Sequence, residues 1–189
     1  MKIGDILYFS PRYKFLDLKW DNKNILIDAF EDRVKGFYIE PAKKLNEDKK
    51  GFATGILCVT TIDFLARIAT DTNGVRKRIV EWLETNVKEF SENDPDNQKQ
   101  TLANRFYEEF RNGLVHEGRI KNAGQFSYDF EKLVNVMNGV MVVNPRCLIN
   151  VIETSFKNYV DKIKKEESAL RQLRCALISV QCHNFCPFC

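Results

Sequence analysis

Residues 100–116 read Gln100-Thr101-Leu102-Ala103-Asn104-Arg105-Phe106-Tyr107-Glu108-Glu109-Phe110-Arg111-Asn112-Gly113-Leu114-Val115-His116. At about 100° per residue, Leu102, Ala103, Phe106, Tyr107, Phe110 and Leu114 fall on one contiguous arc. That spacing predicts a helix with a wide apolar face, which needs other elements to bury it. Arg105, Glu109, Asn112 and His116 form a separate polar stripe at steps of four, three and four. Arg111 lies about 140° from His116 on an ideal helix. Its long side chain is expected to reach a neighbouring subunit or to curl round the helix end. Gly113 weakens the helix interior but leaves backbone room beside the stripe.

The segments before this helix supply three partners for its apolar face. From Asn24 to Leu45, Ile25, Ile27, Phe30, Val34, Phe37 and Tyr38 recur at helical spacing. Pro41 in that pattern predicts a kink or a stop near Glu40. Phe52 to Ala69 is the most apolar helix, with Ile56, Val59, Phe64, Leu65 and Ile68 expected in the core. Ala53 and Gly55 leave room for a neighbouring helix to come close. Val75 to Phe90 is a third helix, and Ser91 to Gln98 is a polar loop before the chain returns. Residues 1–21 lack a sustained period and read as an arm packed on the body.

After the helix the period changes from helical to alternating. Asn138-Gly139, flanked by Leu133-Val134-Asn135-Val136-Met137 and Val140-Met141-Val142-Val143, predicts a hairpin with a type I′ turn. Asn144-Pro145 has the form of a helix N-cap followed by proline at the first helical position. Leu148, Ile149, Ile152, Phe156, Tyr159, Val160 and Ile163 carry an amphipathic helix to about Lys165. The expected fold is mainly α: an antiparallel bundle of four helices over residues 24–116, a small β-hairpin within 126–144 and a C-terminal packing helix over 145–166. Residues 1–170 read as one domain and 171–189 as a cysteine-rich tail.

Bulk composition bounds the function classes. The 189 residues are 44% hydrophobic with 14 Phe and 6 Tyr, enough for a core and unlike a disordered chain. A net charge of +3 permits an anionic partner without demanding one. No apolar run approaches the roughly 20 residues that span a bilayer, and the N-terminus does not resemble a secretory signal. The expected compartment is the cytoplasm, with no membrane partner. The six cysteines are then expected as thiols or metal ligands and not as a disulfide framework.

The chemistry concentrates at the end of the 100–116 helix. An imidazole takes and gives a proton near neutral pH. A guanidinium is always charged and matches phosphate oxygens with a planar fork. An amide such as Asn112, four residues before His116, can orient either group or a substrate oxygen. These are the parts for metal-free RNA cleavage, in which a ribose 2′-hydroxyl attacks the adjacent phosphorus. One chain offers one usable histidine. Two copies of the helix about a two-fold axis would supply two.

Arg111-Asn112-Gly113-Leu114-Val115-His116, closing a helix in an α-helical bundle, resembles the Arg-x4-6-His motif of the HEPN superfamily. A polar residue, commonly Asn, often follows the Arg in that family, and Asn112 matches. The resemblance covers residues 24–116, about half of the chain. It implies a metal-independent endoribonuclease, usually a homodimer with the motif helices facing across a cleft, needing no cofactor. Many members act as toxins or in defence, so an antitoxin or a defence-system partner is expected beside RNA. By the resemblance, Arg111 would hold the scissile phosphate, His116 would act as base or acid, and Asn112 would orient His116 or the substrate. Some members are non-catalytic and bind RNA or partner proteins. One departure stands out. Members paired with a nucleotidyltransferase antitoxin carry Tyr two residues after the His, where this chain has Gly118, which argues against control by tyrosine adenylylation.

Arg105, Arg119 and Lys121 are candidates for an RNA-binding rim, against the plainer reading of a solvated surface. The C-terminus, Cys182-His183-Asn184-Phe185-Cys186-Pro187-Phe188-Cys189, contains a Cys-x-x-Cys pair. Cys182, Cys186 and Cys189 are the candidate metal ligands. Adjacent Cys182 and His183 are poor co-ligands of one ion, and zinc sites usually draw ligand pairs from separated segments. The expectation is therefore no metal.

Overall fold

The structure is a computed structural model that describes residues 1–185, with side chains as far as Ile178. It is mainly helical with small sheets. The N-terminal arm forms a short hairpin, β1 (Lys2–Ile3) with β2 (Ile6–Leu7), and then buries Phe9, Ser10 and Leu18. α1 (Lys23–Val34) begins at Asn22, whose side chain accepts from the Ile25 amide. It runs through a π turn at Lys35–Ile39 directly into α2 (Glu40–Glu47). Pro41 therefore does not stop the helix, contrary to the expected break. Proline lacks the donor for the preceding turn and crowds it. The wider turn just before it absorbs that misfit. The same turn receives the arm: a Cβ on Gly36 would lie 2.5 Å from the Pro11 ring. An Arg12–Asp32 ion pair at 2.6 Å and a hydrogen bond from Arg33 to the Phe9 carbonyl oxygen fasten the arm there.

α3 (Gly51–Ala69) is central and packs on α2, on α4 (Val75–Asn86), on α6 (Pro145–Lys165) and on α7 (Glu167–Phe185). By length and composition α3 could cross a membrane, which corrects the expectation that no run approaches that size. Here Cys58, Val59, Ile62, Leu65 and Ile68 are buried in the protein core. Ile56 is 40% exposed, so it is not the core residue the periodicity suggested. Gly55 does allow close approach, but of an aromatic ring and not of a helix. A Cβ there would lie 2.1 Å from the Phe126 ring, which also packs edge-on against Phe110.

α4 stops one turn short of the expected end, yet Val87 and Phe90 stay buried through a 3-10 turn at Lys88–Ser91. The expected polar loop is a hairpin, β3 (Asn93–Asp94) with β4 (Asn97–Thr101), and it buries Asp94. Thr101 then caps α5 (Leu102–Phe106), its hydroxyl accepting from the Asn104 amide at 3.3 Å. The helix continues through two π turns, Tyr107–Arg111 and Gly113–Glu117, to a left-handed Gly118. Leu102, Ala103, Phe106, Tyr107 and Phe110 are buried, as their arc predicted.

The 134–143 hairpin forms with Met137 opposite Val140, joining β6 (Val134–Met137) to β7 (Val140–Val143). Asn138 and Gly139 both take positive φ, as a type I′ turn requires. β5 (Gln125–Phe126) adds in parallel to the other edge of β7. Asn144 caps α6 by accepting from the Arg146 and Cys147 amides. The segment after residue 166 is a further correction. It is not a tail over its described part but the helix α7, with Ala169, Leu170, Leu173 and Leu177 buried. Those residues recur every three to four positions, which is a helical period.

Candidate functional site

The helix that begins at Leu102 carries two arginines with opposite fates. Arg105 is buried and fully engaged. Its Nε donates to Glu109 at 2.9 Å, its Nη1 to Asp94 at 3.0 Å and to Asp96 at 2.7 Å, and its Nη2 to the Gly139 carbonyl at 2.6 Å. Burial works to raise the Asp94 carboxyl. Hydrogen bonds from Gln100, the Asp96 amide and Arg105 overcome it and hold the group below the ordinary carboxylate range. Arg105 is therefore not part of an RNA-binding rim, which corrects that expectation. The first half of the polar stripe it belonged to is covered: the β3–β4 hairpin and the Gly139 turn close over Arg105, and Glu109 is held by Arg105 and Asn122.

Arg111 sits at the start of the motif and turns toward α3, where it was expected to reach a neighbouring subunit or to curl round the helix end. Its Nε and Nη2 donate to one oxygen of Asp63 on α3, at 3.1 and 2.7 Å. Its guanidinium lies 5.8 Å from the Tyr107 ring centre. That leaves the Nη1 edge, which makes only a long 3.5 Å contact to the Asn112 amide oxygen. Asn112 donates at 3.1 Å to Glu108, which pairs with Arg76 of α4 at 2.9 Å. The expected Asn112–His116 contact does not form, since a carboxylate one turn earlier is the stronger acceptor. His116 is exposed and makes no hydrogen bond or ion pair among the described residues.

The π turns change the angular relation within the motif. A π turn bonds residue i to i+5, so it takes roughly 4.4 residues per turn, about 82° each. Over five residues of unbroken π winding the ideal separation of Arg111 and His116 would fall from about 140° to about 50°; Asn112 between them keeps α-helical winding, so the change here is smaller. Gly113 sits between them, and a Cβ there would lie 2.4 Å from the Arg119 carbonyl oxygen. The chain after Gly118 folds back over this glycine, and the Lys121 amide donates to the Glu109 carbonyl at 2.9 Å. Glu117 holds Arg119 at 2.7 Å and Lys121 at 2.8 Å.

Sequence reasoning missed Asp63. The signal was present: it is the lone acidic residue in residues 51–69 of an apolar helix, and such a carboxylate needs a cation. The cysteine candidates lie outside what can be described: Cys186 and Cys189 fall beyond the described residues and Cys182 beyond the described side chains. Cys175 is exposed and free. Among the described residues no group of three or more His, Cys, Asp or Glu side chains is placed to hold a metal ion.

Chemically, this helix end offers a guanidinium with one uncommitted edge, an amide beside it and a solvent-facing imidazole. It can bind one phosphate oxygen and exchange one proton. A reaction that needs a base and an acid together would require a second copy. Comparison with family models, with curated proteins and with solved structures returns no match to this chain.

Proposed function

We propose that the chain is a metal-independent endoribonuclease of HEPN type, acting as a homodimer without a cofactor. In this reading the Lys23–Glu47 segment, α3, α4 and the Leu102–Glu117 helix form the family's antiparallel four-helix bundle. The observation that carries the proposal is the state of the helix end: Arg111 is held by Asp63 and Tyr107 with its Nη1 edge left beside Asn112, and His116, five residues on, stands in solvent. One His116 accepts the proton of the ribose 2′-hydroxyl as its oxygen attacks the adjacent phosphorus. The bond to the 5′-oxygen breaks, and the His116 of the second copy protonates that leaving group. The product is a 2′,3′-cyclic phosphate with a free 5′-hydroxyl. Arg111 Nη1 stabilises charge on the phosphate oxygens, while Asp63 and Tyr107 hold the guanidinium. The partners in this reading are RNA, a second copy and an antitoxin or defence-system protein.

The test is RNA cleavage by purified protein in EDTA, with product ends read for 2′,3′-cyclic phosphate. Cleavage is expected in the wild type and its loss in His116→Ala and Arg111→Ala, both checked for folding. Intact RNA with the wild type would end the enzyme reading.

A second reading draws on the charge pairing. Asp63 neutralises Arg111, and Glu117 neutralises Arg119 and Lys121. That arrangement suits a non-catalytic member of the same fold that binds RNA or a partner protein. Retention of uncleaved RNA on a filter would favour it.

A further inference from the structure

One cleft lies away from the motif. It opens between the C-terminal ends of α3 and α6 and the start of α7, with a volume of about 690 Å³. Three helices each send a cation to it: Arg67 from α3, Lys162 from α6 and Arg171 from α7. All three are exposed, and among the described residues none has an ion-pair or hydrogen-bond partner. Elsewhere cations at element junctions find carboxylates, as Lys164 finds Glu31 and Lys43 finds Glu153.

Helix dipoles account for part of this. Arg67 lies in the last turn of α3 and Lys162 in the last turn of α6, where positive charge is favourable. They do not account for Arg171, which lies near the start of α7, where a cation gains nothing from the dipole. Three like charges converging on one cleft repel each other unless an anion joins them. Ser168 adds a hydroxyl to the lining, while that of Thr70 donates to the Ala66 carbonyl. Asp71 and Glu166 also line the cleft, leaving it one positive charge in excess. Carboxylates beside a cationic centre accept from hydroxyl or amino groups. They disfavour a bare anion and suit a phosphate ester that carries such donors.

We infer that this cleft binds the phosphate of a nucleotide, with Arg67, Lys162 and Arg171 on the phosphate oxygens and Asp71 and Glu166 on donors of the sugar or base. The phosphate comes either from a free mononucleotide or from a nucleotide of an RNA chain. The inference does not rest on the ribonuclease reading, because no residue of the Arg111–His116 motif lines the cleft.

The experiment titrates the full chain with AMP and, separately, with a short single-stranded RNA at low salt, by calorimetry. Wild type is compared with Arg67→Gln, with the double variant Lys162→Gln and Arg171→Gln, and with Lys132→Gln, an exposed cation away from the cleft. Saturable AMP binding, weakened about tenfold or more in the double variant and unchanged in Lys132→Gln, assigns the site to a free nucleotide. RNA binding without AMP binding, weakened by the same variants, assigns it to an RNA phosphate. No saturable binding of either probe, or binding that the cleft variants leave unchanged, overturns the inference. All the variants change exposed side chains, so each is expected to fold, and circular dichroism checks this. His116→Ala is expected to leave AMP binding intact whether or not it alters cleavage, which keeps this site separate from the motif.

Discussion

Arg105 and Arg111 are six residues apart on one helix and have opposite surroundings. Arg105 reaches three carboxylates and a carbonyl and is buried under two hairpin turns. Arg111 reaches one carboxylate and keeps an edge uncommitted, beside a histidine in solvent. The difference shows that charge type and helix position do not separate an arginine with every nitrogen committed from one with an edge to spare. What separates them is how many donors the fold has already used. A guanidinium has five, and Arg105 has committed its Nε and both terminal nitrogens, while Arg111 holds Nη1 in reserve.

The comparison breaks most visibly at Arg105. Arg105→Met would leave Asp94 and Glu109 buried without their cation. Removing one partner of a buried charge network costs about 3–5 kcal/mol, so urea unfolding should show a large loss or no cooperative transition. A loss within about 0.5 kcal/mol, the range of ordinary surface changes, would show that Arg105 is not what holds the hairpins to the helix. The same network should respond to pH. The Asp94 carboxyl is held below its usual range when folded, so its contribution is complete above about pH 4, the ordinary Asp value. It is lost as pH falls through the depressed value. The urea midpoint of the wild type should drop as pH falls below about 4, and Asp94→Asn should flatten that drop.

Gly113→Ala tests whether the motif's geometry depends on the chain that folds back over it. A Cβ within 2.4 Å of the Arg119 carbonyl oxygen cannot be accommodated without backbone movement. The expected cost is about 1–3 kcal/mol, with faster amide exchange over residues 118–124 than in the wild type. Unchanged exchange there would mean that the return loop is not seated on this glycine.

Much of this contrast was hidden from the sequence, and for physical reasons. The apolar arc from Leu102 to Phe110, the Asn138-Gly139 turn and the Asn144 cap were legible because each follows from local spacing or from one residue's backbone preference. Arg105 was misread because periodicity says which face a side chain shares, and not which distant hairpin covers that face. The Arg111–His116 angle presumed α-helical winding throughout, and nothing in residues 107–117 announces the π turns that interrupt it. The α7 helix was overlooked because the cysteines near its end drew attention from Leu170, Leu173 and Leu177, whose spacing is helical.

Arg111→Ala sharpens the comparison from the other side. The Arg111–Asp63 pair is less buried than the Arg105 network and involves one carboxylate where Arg105 has three, so its loss should cost less than that of Arg105. Any RNA cleavage, however, should disappear. A stability loss as large as that of Arg105→Met would make Arg111 a second structural arginine and remove it from the candidate site.

The smallest effect is expected at Glu117, just past His116. It is an exposed acidic residue at a helix C-terminus, where negative charge is unfavourable. Lys121 and Arg119 hold its carboxyl below the usual range. Glu117→Gln removes no buried contact and should leave the unfolding curve unchanged. It would free Arg119 and Lys121, two cations that carry no other ion pair in the chain. If they flank the RNA path, the variant should retain RNA more tightly, and its salt dependence should steepen by about one phosphate contact or more. Unchanged retention and slope would place these cations off the RNA path. Arg111 would then be the one cation at this helix end with a donor left for a phosphate.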